Sequence, residues 1–94
     1  MRQYELVFIV RPDADETRMN AAVEKITQYV TESGGEITSL NPWGRRKLAY
    51  PIDRLLEGDY VTAKMQLEPT ATQGLEASLT ISEDVLRHLL LKVE

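Results

Sequence analysis

The sequence predicts an α+β fold: a four-stranded antiparallel sheet with two helices on one face, in the order β-α-β-β-α-β. Three observations predict it. Apolar residues recur at a period of two in four segments and at helical spacing in two others. The helical segments follow the first and third strand-like segments. Two helices of this length cover only one face of such a sheet. At 94 residues the chain has room for a single domain, 1–94, and no second core.

The first strand runs from about 3 to 11, rich in β-branched and aromatic residues, and stops at Pro12. Tyr4, Leu6, Phe8 and Val10 point one way; Gln3, Glu5, Val7 and Ile9 point the other. The second set turns apolar toward its end, as in a strand that is central in its sheet or partly covered by a partner. Asp13-Ala14-Asp15-Glu16 opens a helix, with Asp13 as the expected cap and Glu16 reaching back. Met19, Ala22, Val23, Ile26, Tyr29 and Val30 form its apolar stripe, and Gly34-Gly35 ends it.

A second strand follows from about Glu36 to Tyr50, bent near Asn41-Pro42, where proline favours an edge strand or a bulge. A connection is expected through Asp53-Arg54-Leu55-Leu56-Glu57-Gly58. The third strand, Tyr60 to Leu67, alternates cleanly, with Val61, Ala63, Met65 and Leu67 inward. Pro69 to Gln73 starts a second helix, Thr70 and Gln73 standing at capping-box spacing. Ala71, Leu75, Ser78 and Leu79 lie on its buried side, while Gly74 costs it about 1 kcal/mol relative to alanine. In the last strand, Val85 to Val93, Leu86, His88 and Leu90 alternate with Arg87, Leu89 and Leu91. This order is the split βαβ, ferredoxin-like arrangement. Strands one and three are central, and one face of the sheet is left without helices.

Composition excludes several chemistries. There is no cysteine, hence no disulfide, thiolate zinc cluster or cysteine nucleophile. The N-terminus enters a strand directly and lacks the pattern of a signal peptide, and no apolar run reaches membrane-spanning length. His88, the only histidine, sits between Leu86 and Leu90 and reads as a core-edge imidazole with one hydrogen-bond partner. Helix capping explains the Asp13, Asp15 and Glu16 cluster without metal. No glycine-rich phosphate loop and no carboxylate pair at interpretable spacing occurs. The expectation is a protein that is not an enzyme, with no cofactor, metal or small-molecule substrate.

Two surfaces carry functional expectations. By alternation the open sheet face presents Val7 and Ile9 with Leu89 and Leu91, an apolar patch of the kind that marks protein contacts. Tyr60 is the one aromatic suitably placed there, so base stacking on this sheet is not expected. The second surface is Trp43-Gly44-Arg45-Arg46-Lys47. Three consecutive cations on a chain of net charge −4 suggest an anionic partner, phosphate above all. Charged residues on an edge strand also prevent sheet-to-sheet aggregation. Both readings, and docking of an acidic protein, stand at this point. Trp43 can stack on a base or a guanidinium, or fill the gap between the first helix and the sheet.

The same residues carry a family resemblance. Arg45-Arg46-Lys47-Leu48-Ala49-Tyr50-Pro51-Ile52, preceded by Gly44, resembles the G-R-R-x-L-A-Y-P-I segment of the ribosomal protein S6 family of the small subunit. Met1-Arg2-Gln3-Tyr4-Glu5 resembles that family's opening M-R-x-Y-E, and Gly58-Asp59-Tyr60 and Val85-Leu86-Arg87-His88 resemble its later strands. The resemblance spans essentially the whole chain. It implies a non-catalytic constituent of the small subunit, in the cytoplasmic ribosome of a bacterium or in an organellar one. It further implies binding to the central domain of small-subunit ribosomal RNA together with ribosomal protein S18. Carried over, the RNA-facing candidates are Arg2, Arg45, Arg46, Lys47, Arg87 and Lys92. The candidates for partner binding are Val7, Ile9, Tyr60, Leu89 and Leu91. Many members carry a C-terminal extension; this sequence ends at Glu94, so contacts of such a tail are not carried over. The alternative reading is a ferredoxin-like dimerisation or small-molecule-binding module. An acylphosphatase-like enzyme would need an arginine-bearing glycine loop that Arg11-Pro12-Asp13 does not resemble.

Overall fold

A computed structural model describes residues 1–52 and 54–93. Strands β1 (Arg2–Val10), β2 (Glu36–Ile52), β3 (Leu55–Leu67) and β4 (Val85–Val93) form one antiparallel sheet in the order β2-β3-β1-β4. Helices α1 (Glu16–Glu32) and α2 (Thr72–Ile81) pack on one face, as the sequence predicts.

The core follows from alternation. Leu6, Phe8 and Val10 of β1 and Val61, Ala63, Met65 and Leu67 of β3 are buried against Ile26 and Val30 of α1 and Leu75 and Leu79 of α2. The apolar stripe on α1 and the period-two runs on the central strands therefore meet, which removes their surface from water. His88 points to the helical side, its Nε2 4.0 Å from the Glu76 carboxylate.

Helix starts differ from the sequence expectation. The cap of α1 is Asp15, whose Oδ1 accepts the Arg18 N–H at 2.8 Å. Asp13 instead accepts the Arg11 Nε–H at 3.2 Å, and this bond holds its carboxyl below the usual carboxylate range. The expected pairing of Thr70 with Gln73 does not cap α2. Pro69–Ala71 forms a 3₁₀ turn that leads into α2 from an uncapped Ala71, and the Thr72 hydroxyl donates to the Pro69 carbonyl at 2.8 Å. Proline at the first position favours the tight turn, because it pre-sets φ and has no N–H to satisfy.

The larger difference lies between β2 and β3. The expected connection runs from Asp53, outside the described residues, to Gly58, but Leu55 to Gly58 are strand. The two strands continue past the body of the sheet as a ribbon, with Lys47 opposite Glu57 and Ile52 opposite Leu55. This arm bends back over the end of the open face. Its Leu48 is buried, and its Tyr50 reaches Arg87 of β4, on the far side of β3 and β1. Gly58 permits the closure. A Cβ there would lie 2.3 Å from Ile9 Cγ2 and 3.7 Å from Leu48 Cδ2.

Candidate nucleic-acid interface

β2 is an edge strand, so its three consecutive cations alternate between faces. Arg45 stands opposite Asp59, Arg46 opposite Gly58 and Lys47 opposite Glu57. Arg45 is held within the protein. Its Nη2 donates to the Pro12 carbonyl at 2.7 Å, and its Nε approaches Asp59 Oδ1 at 3.4 Å. These contacts tie β2 to the turn after β1. Arg46 is exposed and, among the described residues, donates only to the carbonyl of Arg45, at 3.3 Å. Lys47 is exposed and has no ion pair among the described residues. The charges of these last two are therefore free to meet an anion.

The other cations split into two places. Arg87 is opposite Ile9, at the arm end of the sheet. Its Nη1 donates to the Tyr50 hydroxyl at 2.5 Å, and its guanidinium carbon lies 5.4 Å from the centre of that ring. A phenol and a π-face orient the guanidinium without neutralising it. Arg2 and Lys92 sit at the opposite end, with Arg2 opposite Leu67 and Lys92 opposite Tyr4. At about 3.3 Å per residue, Arg2 is roughly 26 Å along β1 from Val10, so the six cations do not form one patch.

The apolar candidates also divide. Val7 pairs with Leu89, and Glu5 with Leu91. Leu89 and Leu91 are 56% and 47% exposed, and Val93 extends the row along the outer strand. Ile9 is only 8% exposed, since the arm covers it, and belongs to the interior wall of the patch. An open groove of ≈ 450 Å³ runs between these parts, lined by Val7, Ile9, Tyr60, Arg87, His88 and Leu89. A cleft of ≈ 130 Å³ lies under the arm, between Leu48, Tyr50, Ile52 and Tyr60.

Two features lie beyond the sequence reading. The first is the clasp of Tyr50 and Arg87, whose partners are 37 residues apart and meet only because the arm folds back. The second is an aromatic pair. Trp43 stacks on Tyr60, with ring centres 6.3 Å apart and planes at 21°. The register of β2 against β3 shifts between Pro42 and Gly44, and Gly44 adopts φ +85°. That bulge turns the indole onto the open face. The sequence signal was there in Pro42-Trp43-Gly44, since proline and glycine flanking one residue inside a strand mark a bulge.

Comparison with known proteins agrees with this architecture. The model of the family Ribosomal protein S6 matches residues 3–92. The small ribosomal subunit protein bS6 of Moorella thermoacetica is 42% identical over 94 residues, covering 100% of this chain and 96% of that protein. Its counterpart in Clostridium acetobutylicum is 39% identical and covers 100% of this chain and 99% of that one. The crystal structure of 30S ribosomal protein S6 from Thermotoga maritima superposes with a TM-score of 0.91 at 28% identity, covering 98% of this chain and 87% of that one. The family match over residues 3–92 and the 42% identity over the whole chain mark a structural component of the small ribosomal subunit, not an enzyme: the chain belongs to the ribosomal protein S6 family.

Proposed function

We propose that this chain binds the central domain of small-subunit ribosomal RNA through the cationic stretch of β2, while ribosomal protein S18 docks on the apolar row of β4. The observation that carries this reading is the separation of the two surfaces. Arg46 and Lys47, without an ion pair among the described residues, lie on one outer strand, and exposed Leu89 and Leu91 lie on the other. Three strand spacings of about 4.8 Å separate the two outer strands by roughly 14 Å, and the cations and leucines are also offset along them, so RNA and protein can be held together. The net charge of −4 opposes RNA binding by the chain alone. A basic partner makes the joint surface attractive to phosphate. The family resemblance supports the same two partners.

The test measures binding of a central-domain RNA fragment across a range of salt concentrations, with and without S18. Tight binding is expected only with S18 present. Arg46→Glu with Lys47→Glu should flatten the salt dependence by about 0.9 in slope per lost contact on duplex, with little change in melting temperature. Arg45→Glu should also lower the melting temperature, because Pro12 and Asp59 lose their partner. An unchanged salt slope in the double variant would assign Arg46 and Lys47 to protection of the sheet edge instead.

A further inference from the structure

We infer that Trp43 and Tyr60 form a stacking platform for one unpaired RNA base, with Arg46 contacting the phosphate beside it. The inference deepens the RNA-binding reading and rests on it. Tyr60 is the inner ring. It is half-buried, standing between Ile9 on β1 and Gly44 on β2. Trp43 lies against it at 6.3 Å yet stays 49% exposed, so part of the indole remains available to a second ring. Two stacked aromatics hold each other in place, so a third ring meets a surface that is already ordered.

The backbone makes this arrangement deliberately. A Cβ on Gly44 would meet nothing within 4 Å, so the glycine answers to its φ of +85° and not to crowding. Bulges of this kind re-aim a side chain, and here the re-aimed chain is the indole. Arg46 faces Gly58 two positions beyond the pairing of Gly44 with Tyr60, which places it on the same side of the ribbon. Two residues of strand span about 6.6 Å, the scale that separates a stacked base from its own backbone charge. The guanidinium has no carboxylate partner among the described residues.

A π-face beside a free cation is the recognition chemistry of single-stranded nucleic acid. The surroundings favour that ligand over a peptide. Asn41, next to the platform, is polar and exposed, whereas the exposed aliphatic row lies across the sheet on β4. The ligand class is an unpaired base in a loop or bulge, a purine above a pyrimidine because it offers more stacking area.

Trp43 is the only tryptophan, so its emission reports the site directly. The purified chain would be titrated at low ionic strength with a hexamer of riboadenylate and with an abasic hexamer of the same phosphate count. Saturable quenching by the first and none by the second is expected. Trp43→Ala should weaken binding of a labelled adenylate hexamer roughly 5- to 150-fold, with Trp43→Phe intermediate. Arg46→Ala should weaken both hexamers and lower the salt slope by about 0.7. Circular dichroism should show both alanine variants folded, since the two side chains are exposed. Equal quenching by the two hexamers, or none by either, overturns the platform. So does a Trp43→Ala variant that loses S18 but keeps the hexamer, which would make the pair a protein dock. Hexamer quenching with no binding of the central-domain fragment, S18 included, would overturn the ribosomal RNA reading and leave the platform standing.

Discussion

Replacing Ile9 tests the folded-back arm. By alternation Ile9 and Leu89 belong to the same open patch, and either should tolerate an aspartate without unfolding. The structure separates them: Ile9 is 8% exposed and Leu89 56%. Ile9 touches the backbone at Gly58 and shares a cleft with Leu48, Tyr50 and Tyr60. Ile9→Ala should therefore behave as a core truncation, costing about 2–3 kcal/mol, toward the lower end for buried isoleucine because the arm can settle into the space. Leu89→Ala should stay within about 0.5 kcal/mol of the parent. In a domain of this size each 1 kcal/mol lowers the melting temperature by about 4–8 °C, so Ile9→Ala should melt roughly 8–24 °C lower. Alanine is the cleaner probe, because an aspartate at position 9 would face Arg87 and gain an ion pair. Urea unfolding followed by circular dichroism would give both values, with the slope against denaturant unchanged. A Leu48→Ala background should reduce the effect, since neighbours lining one cleft do not add. Equal melting temperatures for Ile9→Ala and Leu89→Ala would refute the arm's closure over the sheet.

Two further outcomes follow from local geometry. Gly74→Ala should destabilise, although it improves helix propensity by about 1 kcal/mol. The new Cβ would stand 2.0 Å from the Tyr29 hydroxyl, which donates to the Ala71 carbonyl at 3.0 Å, and displacing it costs about 1–3 kcal/mol. Adding Tyr29→Phe should recover part of the loss, and a more stable Gly74→Ala protein would show that the ring swings aside freely. Asp13 has a lowered pKa through the Arg11 bond, so its small stabilising contribution is present above the unfolded carboxylate pKa and is lost as pH falls through the folded value. An NMR titration should find the Asp13 carboxyl below the usual range in the parent and nearer to it in Arg11→Gln. No difference between the two would remove Arg11 as the cause.

Much of the fold was legible because its signals are local and periodic. The α1 stripe from Met19 to Val30 and the alternation of Val61, Ala63, Met65 and Leu67 specify which faces must be buried. The terminal details were less legible. Asp13 and Asp15 are chemically equivalent as caps, and only Arg11, arriving from the end of β1, decides between them. The cationic segment stood out by composition, but composition does not distinguish a guanidinium bonded to Pro12 and Asp59 from one left free.

The sequence by itself determined the element order, the buried faces, the absence of any cysteine chemistry, and, through the segment from Gly44 to Ile52, the family. Each of these depends on residue type and spacing along the chain. Only the tertiary structure decided that β2 and β3 run on as an arm, that the arm buries Ile9, and that Arg87 clasps Tyr50. It also decided that Trp43 lies on Tyr60. The reason is that such contacts join residues far apart in sequence, and their geometry depends on where β2 slips against β3, between Pro42 and Gly44 for the indole and between Lys47 and Ile52 in the arm. A one-residue shift in a strand exchanges its faces, and no periodicity read along a single strand shows where its partner slips.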